Sequence, residues 1–370
     1  MQVRTLTWGA AALLLTACVS SPIQKMSAKD AVAFGYDQYF DTPNYRFTSQ
    51  MHLNNFDLGM LGVGGFPSTL NRVVKLMTVN MDGVIDRPNQ QYEVIGSLSY
   101  KAKNLQANIA FPFVYDGRQK AIFADVSALD DLLANGENEN KYSRFDVSHL
   151  DVDKKAGGLI DILRKTYKGI YQDLPTASFV ELPLSREDMR MDVVRKIQVT
   201  SNIKVASTHS YAMFKDLMQW AKPEDTSIVG LDEPELEKAF DETNDLIDPN
   251  STQVEVLGFD KAGRIVQGEA TANLSMAIPN GSTDAAKGQK FNISSTAHIQ
   301  MSEIGSAKLS NPPTASNTVD GVENFRGGFA GRFLADVLRP QAADAAASDA
   351  EPAVEVVNEA EPRKHKKKHP

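Results

Sequence analysis

Apolar and polar side chains alternate with a period of two along several stretches of the chain, which is the pattern of a half-buried antiparallel strand. In residues 45–56, the side chains of Tyr45, Phe47, Met51 and Leu53 share one face, while polar side chains fill the other. The same pattern predicts further strands at 73–85, 92–101, 105–115, 121–125, 191–205, 252–259, 264–276 and 291–302.

A period of three to four replaces the alternation in the middle of the chain. Apolar side chains at Leu159, Leu163 and Tyr167 predict an amphipathic helix over 154–171. Further helices are expected at 207–221, 233–246 and, as one short helix, within 324–338. The strands come in runs joined by tight turns rather than in a βαβ rhythm. We therefore predict an α+β fold, in which one large curved antiparallel sheet forms an open half-barrel with helices on one face.

The apolar strand faces predict a surface that must be covered or filled. Phe47 and Met51 share a face of one strand, and Ile109 and Phe111 share a face of another. We expect these four side chains either to line a pocket for an apolar ligand or to form a close-packed core. The predicted helix at 154–171 has a single apolar stripe, so it can cover only part of such a face.

The N-terminal residues 1–17 have the pattern of a secretory signal. Arg4 precedes an apolar run at 6–16 that is too short for a transmembrane helix. The segment ends Leu15-Thr16-Ala17-Cys18 and resembles the lipobox of bacterial lipoproteins. The resemblance implies cleavage before Cys18 and acylation of this cysteine, which would anchor the chain in a membrane. Because no Asp follows Cys18, it further implies the outer membrane of the cell envelope, with the body facing the periplasm.

Two predicted hairpins, 113–123 and 256–266, each carry Asp and Gly at the turn. In these two hairpins the body, about 30–305, resembles the periplasmic lipoprotein-carrier and LppX-like lipoproteins. These proteins have the Lol carrier fold, an open β-barrel with helices on its hollow side. The resemblance implies a protein that binds or carries lipid or an acylated protein.

Composition and charge narrow the function further. The net charge of −8 argues against a general nucleic-acid binder, and a single cysteine excludes an intramolecular disulfide and a cysteine-rich zinc site. The tail at 340–370 is too polar to form a core, so we expect it to be disordered. Its basic end either engages lipid headgroups or another anionic envelope polymer, or keeps the chain soluble. The basic residues are Arg363, Lys364, Lys366, Lys367 and Lys368.

No motif predicts catalysis. The glycine-rich stretch at 59–67 lacks the Gly-Lys-Ser/Thr of a phosphate loop, the histidines lack metal-ligand spacing, and no Gly-x-Ser-x-Gly is present. We predict no enzyme activity, no cofactor and no metal. We expect the protein to be an envelope lipoprotein that binds or carries an apolar ligand. The alternative is that it is an envelope scaffold or assembly factor that acts through protein–protein contacts.

These predictions divide the chain into five parts. They are a signal peptide (1–17), a tether (18–30), an α+β body (31–310), a poorly defined C-terminal segment (311–339) and a disordered charged tail (340–370).

Overall fold

The computed structural model describes residues 21–57, 72–125, 127–129, 141–148, 152–221, 233–277 and 290–321. Cys18, the glycine-rich stretch at 59–67, the expected helix within 324–338 and the charged tail lie outside these residues. The predictions that concern them remain predictions.

The described residues form one twelve-stranded sheet, in the order β12-β6-β5-β4-β3-β2-β1-β11-β10-β9-β8-β7. Neighbouring strands are antiparallel except β12 and β6, which are parallel. The sheet does not close, since β12 and β7 are its two edges. The predicted open, curved α+β sheet is therefore confirmed. The strands are β1 (Asn44–Asp57), β2 (Met77–Asp86), β3 (Gln91–Ala102), β4 (Leu105–Asp116), β5 (Ala121–Ala124), β6 (Tyr142–Asp146), β7 (Phe179–Leu182), β8 (Arg195–Asn202), β9 (Thr252–Phe259), β10 (Ile265–Ala277), β11 (Lys290–Ser302) and β12 (Thr318–Asp320).

The helices pack beside one another at the β7–β10 end of the sheet. Helix α1 contacts β7, β10 and α2; α2 contacts α4, and α4 contacts α5. The remaining helix, α3, is a single short turn whose Asp188 receives hydrogen bonds from Lys196 at the start of β8. The helices are α1 (Ala28–Asp41), α2 (Val152–Asp173), α3 (Arg186–Arg190), α4 (Ile203–Ala221) and α5 (Glu233–Leu246).

The main core lies between α1, α2 and strands β7 to β10. Val32 of α1 and Tyr171 of α2 pack there against Ile197 of β8 and Phe259 of β9, and each of these side chains is at most 2% exposed. Burial of large apolar side chains in such a cluster is the main source of its stability. Ile23 also belongs to this core and is fully buried.

A smaller core lies on the opposite face of the sheet, at the β4–β6 end. Val114, Phe123 and Tyr142 pack there with Leu309 from the chain that follows β11. The fully buried Glu93 fastens this chain, because its carboxylate accepts the backbone N–H groups of Ser310 at 2.9 and 3.0 Å and of Asn311 at 3.3 Å.

The structure corrects several predicted boundaries. Residues 21–30, which we assigned to a tether, already belong to the folded body, since Ile23 is in the core and Ser27 caps α1 by accepting the N–H of Asp30. The strand predicted at 191–205 ends at Asn202, whose side chain accepts the N–H of Lys204 and starts α4 there. The strand predicted from residue 73 begins at Met77.

Some elements were not predicted at all. Helix α1 was missed, and so were α3 and the short strands β6, β7 and β12, which have three to five residues each. A stretch of that length contains too few positions for alternation to show. Since β12 pairs with β6, residues up to 321 of the segment described above as poorly defined are part of the fold.

Candidate ligand-binding face

One face of the sheet is apolar from β4 across to β8, and we call it the apolar face. The strand register aligns one residue from each strand in a row across it. One row contains Met81 and Phe111, and the row next to it contains Phe47, Val94 and Phe113. The row at the middle of the strands reads Ile109, Leu98, Val79, Met51, Ala297, Ala270 and Glu255.

The helices cover only one part of the apolar face. The part on β7–β10, under α1 and α2, is the covered half; the part on β1–β4 is the exposed half. Large apolar side chains of the exposed half reach solvent to an extent that is unusual for a folded core. Their exposed fractions are 39% for Met51, 40% for Val79, 47% for Met81, 60% for Leu105 and 44% for Phe113. A contiguous apolar patch of this kind is typical of an interaction site.

Two glycines shape the exposed half in opposite ways. Gly83 lies under the ring of Phe47: a Cβ there would come within 2.7 Å of that ring and 2.1 Å of the carbonyl oxygen of Glu93. Gly96, between Met81 and Phe111 in its row, has open space, because a Cβ there would meet no heavy atom within 4 Å. The surface is thus closely packed at Gly83 and hollow at Gly96.

The four residues proposed from the sequence, Phe47, Met51, Ile109 and Phe111, all lie in the exposed half. None is fully buried: Phe47, Ile109 and Phe111 are half-buried and Met51 is exposed. Met51 and Ile109 share a row, with Val79 and Leu98 between them. Val79 and Met81 were not singled out from the sequence, although every second residue from Met77 to Met81 is apolar.

The opposite face of the same strands carries the smaller core at one end and is polar around the middle of the strands. The Gln50 side chain donates a hydrogen bond to Asn80 at 3.0 Å, and Asn80 donates to Ser97 at 3.2 Å. His52 lies 3.0 Å from the Thr78 hydroxyl, so this histidine belongs to the polar network of that face. Water can satisfy this face, whereas the apolar side chains of the exposed half gain from being covered.

A carboxyl group stands in the covered part of the middle row, which continues beyond it to Val199 of β8. The hydroxyl of Tyr171 donates a hydrogen bond to Glu255 at 2.5 Å, Tyr36 approaches the same oxygen at 3.5 Å, and the Gln253 amide donates to the other oxygen. Burial raises the pKa of Glu255, although these hydrogen bonds oppose the shift. Burial also raises the pKa values of Tyr36 and Tyr171, so both hydroxyls keep their protons.

A cavity of about 200 Å³ opens beside this carboxyl. It is bordered by Tyr36 and Tyr167 from the helices and by Glu255, Leu257, Ala270 and Ala297 from the sheet. The rings of Tyr36 and Tyr167 are stacked with centroids 4.8 Å apart. Because Ala270 and Ala297 lie between Glu255 and Met51 in the row, the cavity borders the start of the exposed half.

A second apolar groove, of about 590 Å³, lies between α4 and α5. Tyr211 and Phe240 stack in it with ring centroids 4.1 Å apart, and Phe214 is 38% exposed. Gln253 borders both this groove and the cavity at Glu255. The two hollows therefore meet at one side chain of β9.

Neither a metal site nor a membrane-spanning helix is seen in the described parts of the chain. Their His, Cys, Asp and Glu side chains form no group of three or more that could hold a metal ion. Within the same residues, no helix combines the length and the apolar composition needed to cross a bilayer.

No protein-family model and no curated protein matches this chain. Among solved structures, one of lipid–protein interactions in lipovitellin is 10% identical with a TM-score of 0.21; the match covers 74% of this chain and 27% of the lipovitellin chain. A porin-like protein from Bacteroides uniformis is 10% identical with a TM-score of 0.19, over 70% of this chain and 98% of that protein. Both scores are too low to transfer a function.

Proposed function

We propose that this protein is an envelope lipoprotein, anchored through acylated Cys18, that binds the acyl chains of a lipid or of an acylated protein without catalysing a reaction. The observation that carries the proposal is the exposed half of the apolar face. Met51, Val79 and Met81 are each at least 39% exposed there, on neighbouring strands of one sheet. A hydrocarbon chain lying across them would remove apolar surface from water on both sides of the contact.

The shape of the surface fits a chain-like ligand. Small residues, Gly96 in one row and Ala270 and Ala297 in the next, leave room between the larger apolar side chains. An acyl chain needs a long apolar path with few polar groups, and the middle row offers one from Ile109 to Ala270. At about 4.8 Å per strand, that path is about 24 Å long.

The position of the proposed anchor is consistent with ligand transfer. Cys18 precedes Ser21 by three residues, and the Ser21 hydroxyl donates to the carbonyl of Lys261 in the turn between β9 and β10. Three residues span at most about 11 Å, so the anchor attaches near that end of the strands. Leu105, the most exposed large apolar side chain of the apolar face, is at the opposite end, where β4 begins. We infer that the exposed half opens away from the anchoring membrane.

The proposal is tested by comparing the dye binding of a variant at Met51 with that of a variant at its neighbour Gln50. In the mature chain, 18–370 with Cys18→Ser, we expect the uncharged dye Nile red to bind and to fluoresce. Met51→Glu should abolish this binding, because a charge on the apolar face repels hydrocarbon. Gln50→Glu is the matched control: it places the same side chain one residue away, on the polar face, and should leave the dye bound.

Two results would contradict the proposed function. If Nile red does not bind the folded chain, or if Met51→Glu and Gln50→Glu bind it equally well, the exposed half is not an acyl-chain site. Circular dichroism and thermal unfolding of each variant establish that it is folded. Lipid extraction of protein purified from the envelope then identifies the natural ligand.

A further inference from the structure

Glu255 occupies an unusual place for a carboxyl group. It stands in the same row as Met51, three strands away, so about 14 Å separates the two positions across the sheet. In this row, the methyl groups of Ala270 and Ala297 are the side chains between them, and Ile299 of the next row also borders the cavity. The cavity therefore joins a charged or polar group at its covered end to the hydrocarbon surface at the other.

The side chains that hydrogen-bond to this carboxyl act as donors. The Tyr171 hydroxyl and the Gln253 amide donate to it, while the Tyr36 hydroxyl lies 3.5 Å from it and 2.7 Å from the Tyr171 hydroxyl. Within the described part of the chain, no lysine, arginine or histidine forms an ion pair with Glu255. A carboxylate has about four lone-pair sites, so acceptor capacity remains for a ligand.

The other charged groups at the cavity do not supply the missing cation. His298 and Glu269 also border the cavity, but both stand on the polar face, where they pair with each other at 3.8 Å. No lysine or arginine is among the described residues that border the cavity. A negative charge away from water is costly unless a cation accompanies it, and a carboxylate or phosphate beside Glu255 would add repulsion.

Resting on the function proposed above, we propose that the ligand is an amphiphile whose polar end is an amine or another cationic nitrogen group. This group hydrogen-bonds to Glu255 in the cavity. The hydrocarbon chain of the ligand passes over Ala270 and Ala297 and lies against Met51 and Val79. The cavity, at about 200 Å³, is smaller than the roughly 300–1,000 Å³ of a pocket that encloses a whole ligand, which suits it to holding only the polar end.

Three amphiphiles with the same hydrocarbon chain test this assignment. In the test, Nile red is first bound to the mature chain, 18–370 with Cys18→Ser. Dodecylamine, dodecanol or dodecanoate is then added below its aggregation concentration, and the displacement of the dye is measured. We expect dodecylamine to displace the dye at a concentration about tenfold lower than dodecanoate, with dodecanol between them. Equal displacement by dodecanoate, or a preference for it, would overturn the proposal.

Substitution of Glu255 tests whether the preference for dodecylamine depends on this carboxyl. Glu255→Gln should bring dodecylamine and dodecanol to within about threefold of each other, since only the charge on the carboxyl is lost. Glu303→Gln makes the same change at an exposed carboxyl that does not border the cavity, and it should keep the preference for the amine. A preference that survives Glu255→Gln would also overturn the proposal.

A second variant guards against a folding defect in Glu255→Gln. Ala270→Leu fills the path between the cavity and Met51 without changing any charge, and it should also remove the preference for dodecylamine. The two proposals fail in different ways. If Nile red does not bind at all, both the apolar-ligand function and this assignment are refuted; if it binds without a preference for the amine, only the assignment is refuted.

Discussion

At the scale of the residue, Glu255 sets the chemistry of the covered end of the apolar face. Burial penalises its charged form more than the hydrogen bonds from Tyr171, Gln253 and Tyr36 favour it, so its pKa lies above the ordinary 4.5. Asp188 shows the opposite balance. Burial opposes its ionisation too, but hydrogen bonds from Ser185 and Lys196 outweigh burial and lower its pKa. Asp188 also has a cation partner, Lys196 at 3.0 Å, whereas Glu255 has none among the described residues.

The raised pKa of Glu255 predicts how stability changes with pH. Between the unfolded and the folded pKa, the folded state binds the proton more tightly, so stability falls as pH rises through that window. Glu255→Gln cannot titrate. We therefore expect wild type to lose stability relative to Glu255→Gln as pH rises above 4.5. Denaturant unfolding of both proteins over a pH series measures this, and a stability difference that is constant or changes in wild type's favour contradicts it.

At the scale of the element, the chain after β11 is held to the sheet by polar contacts, of which those of Glu93 and Asn44 are the most buried. Glu93 accepts the N–H groups of Ser310 and Asn311, and Asn44 both donates to the carbonyl and accepts from the N–H of Ala307. These bonds position β12 beside β6 and close the smaller core. Because Glu93 is fully buried, no water replaces it as an acceptor.

We expect Glu93→Gln to destabilise the protein by about 1–3 kcal/mol, since a fully buried carboxyl that accepts two backbone N–H groups is lost. The region 303–321 should then become sensitive to proteases before the rest of the sheet. Glu303→Gln is the control: Glu303 is 49% exposed and pairs with Arg46, so its loss should cost about 1 kcal/mol or less. Equal protease resistance of Glu93→Gln and wild type would show that other contacts hold this chain.

Sequence alone predicted the long strands and missed the short elements, for a physical reason. Strand β1 has fourteen residues, and its apolar side chains at Tyr45, Phe47, Met51 and Leu53 are enough to define both a strand and its apolar face. Strand β7 has four residues and α3 has five, so their existence depends on tertiary contacts such as Lys196 with Asp188. Helix α1 was missed although Ser27 and Asp30 form a cap that the sequence contains.

The candidate site was predictable in part. Alternation placed Phe47, Met51, Ile109 and Phe111 on strand faces, and the structure brings these faces together on β1 and β4 with β2 and β3 between them. The role of Glu255 was not predictable, because it depends on register: only the pairing of β9 with β10 aligns Glu255 with Ala270. Within β9 itself, Glu255 follows the same alternation as an ordinary surface residue.

At the scale of the whole molecule, the sheet has a covered half with a packed core and an exposed half without one. Ile197 and Phe259 are fully buried under α1 and α2, whereas Val79 and Met81 are at least 40% exposed on strands of the same sheet. A sheet of this size gains stability from the covered half, which leaves the exposed half available for a ligand. The proposed function therefore depends on what contacts the exposed half.

Photocrosslinking measures that contact most directly. The mature chain, 18–370 with Cys18→Ser, is incubated with a fatty amine that carries a photoreactive group in its hydrocarbon chain, irradiated and digested, and the labelled residues are identified by mass spectrometry. We expect labels on the exposed half, at Met51, Val79, Met81, Ile109 and Phe111, and we expect these labels to be lost when unlabelled dodecylamine competes. Labels confined to the polar face or to the outer surfaces of the helices, or labels that no competitor removes, would contradict the proposed function.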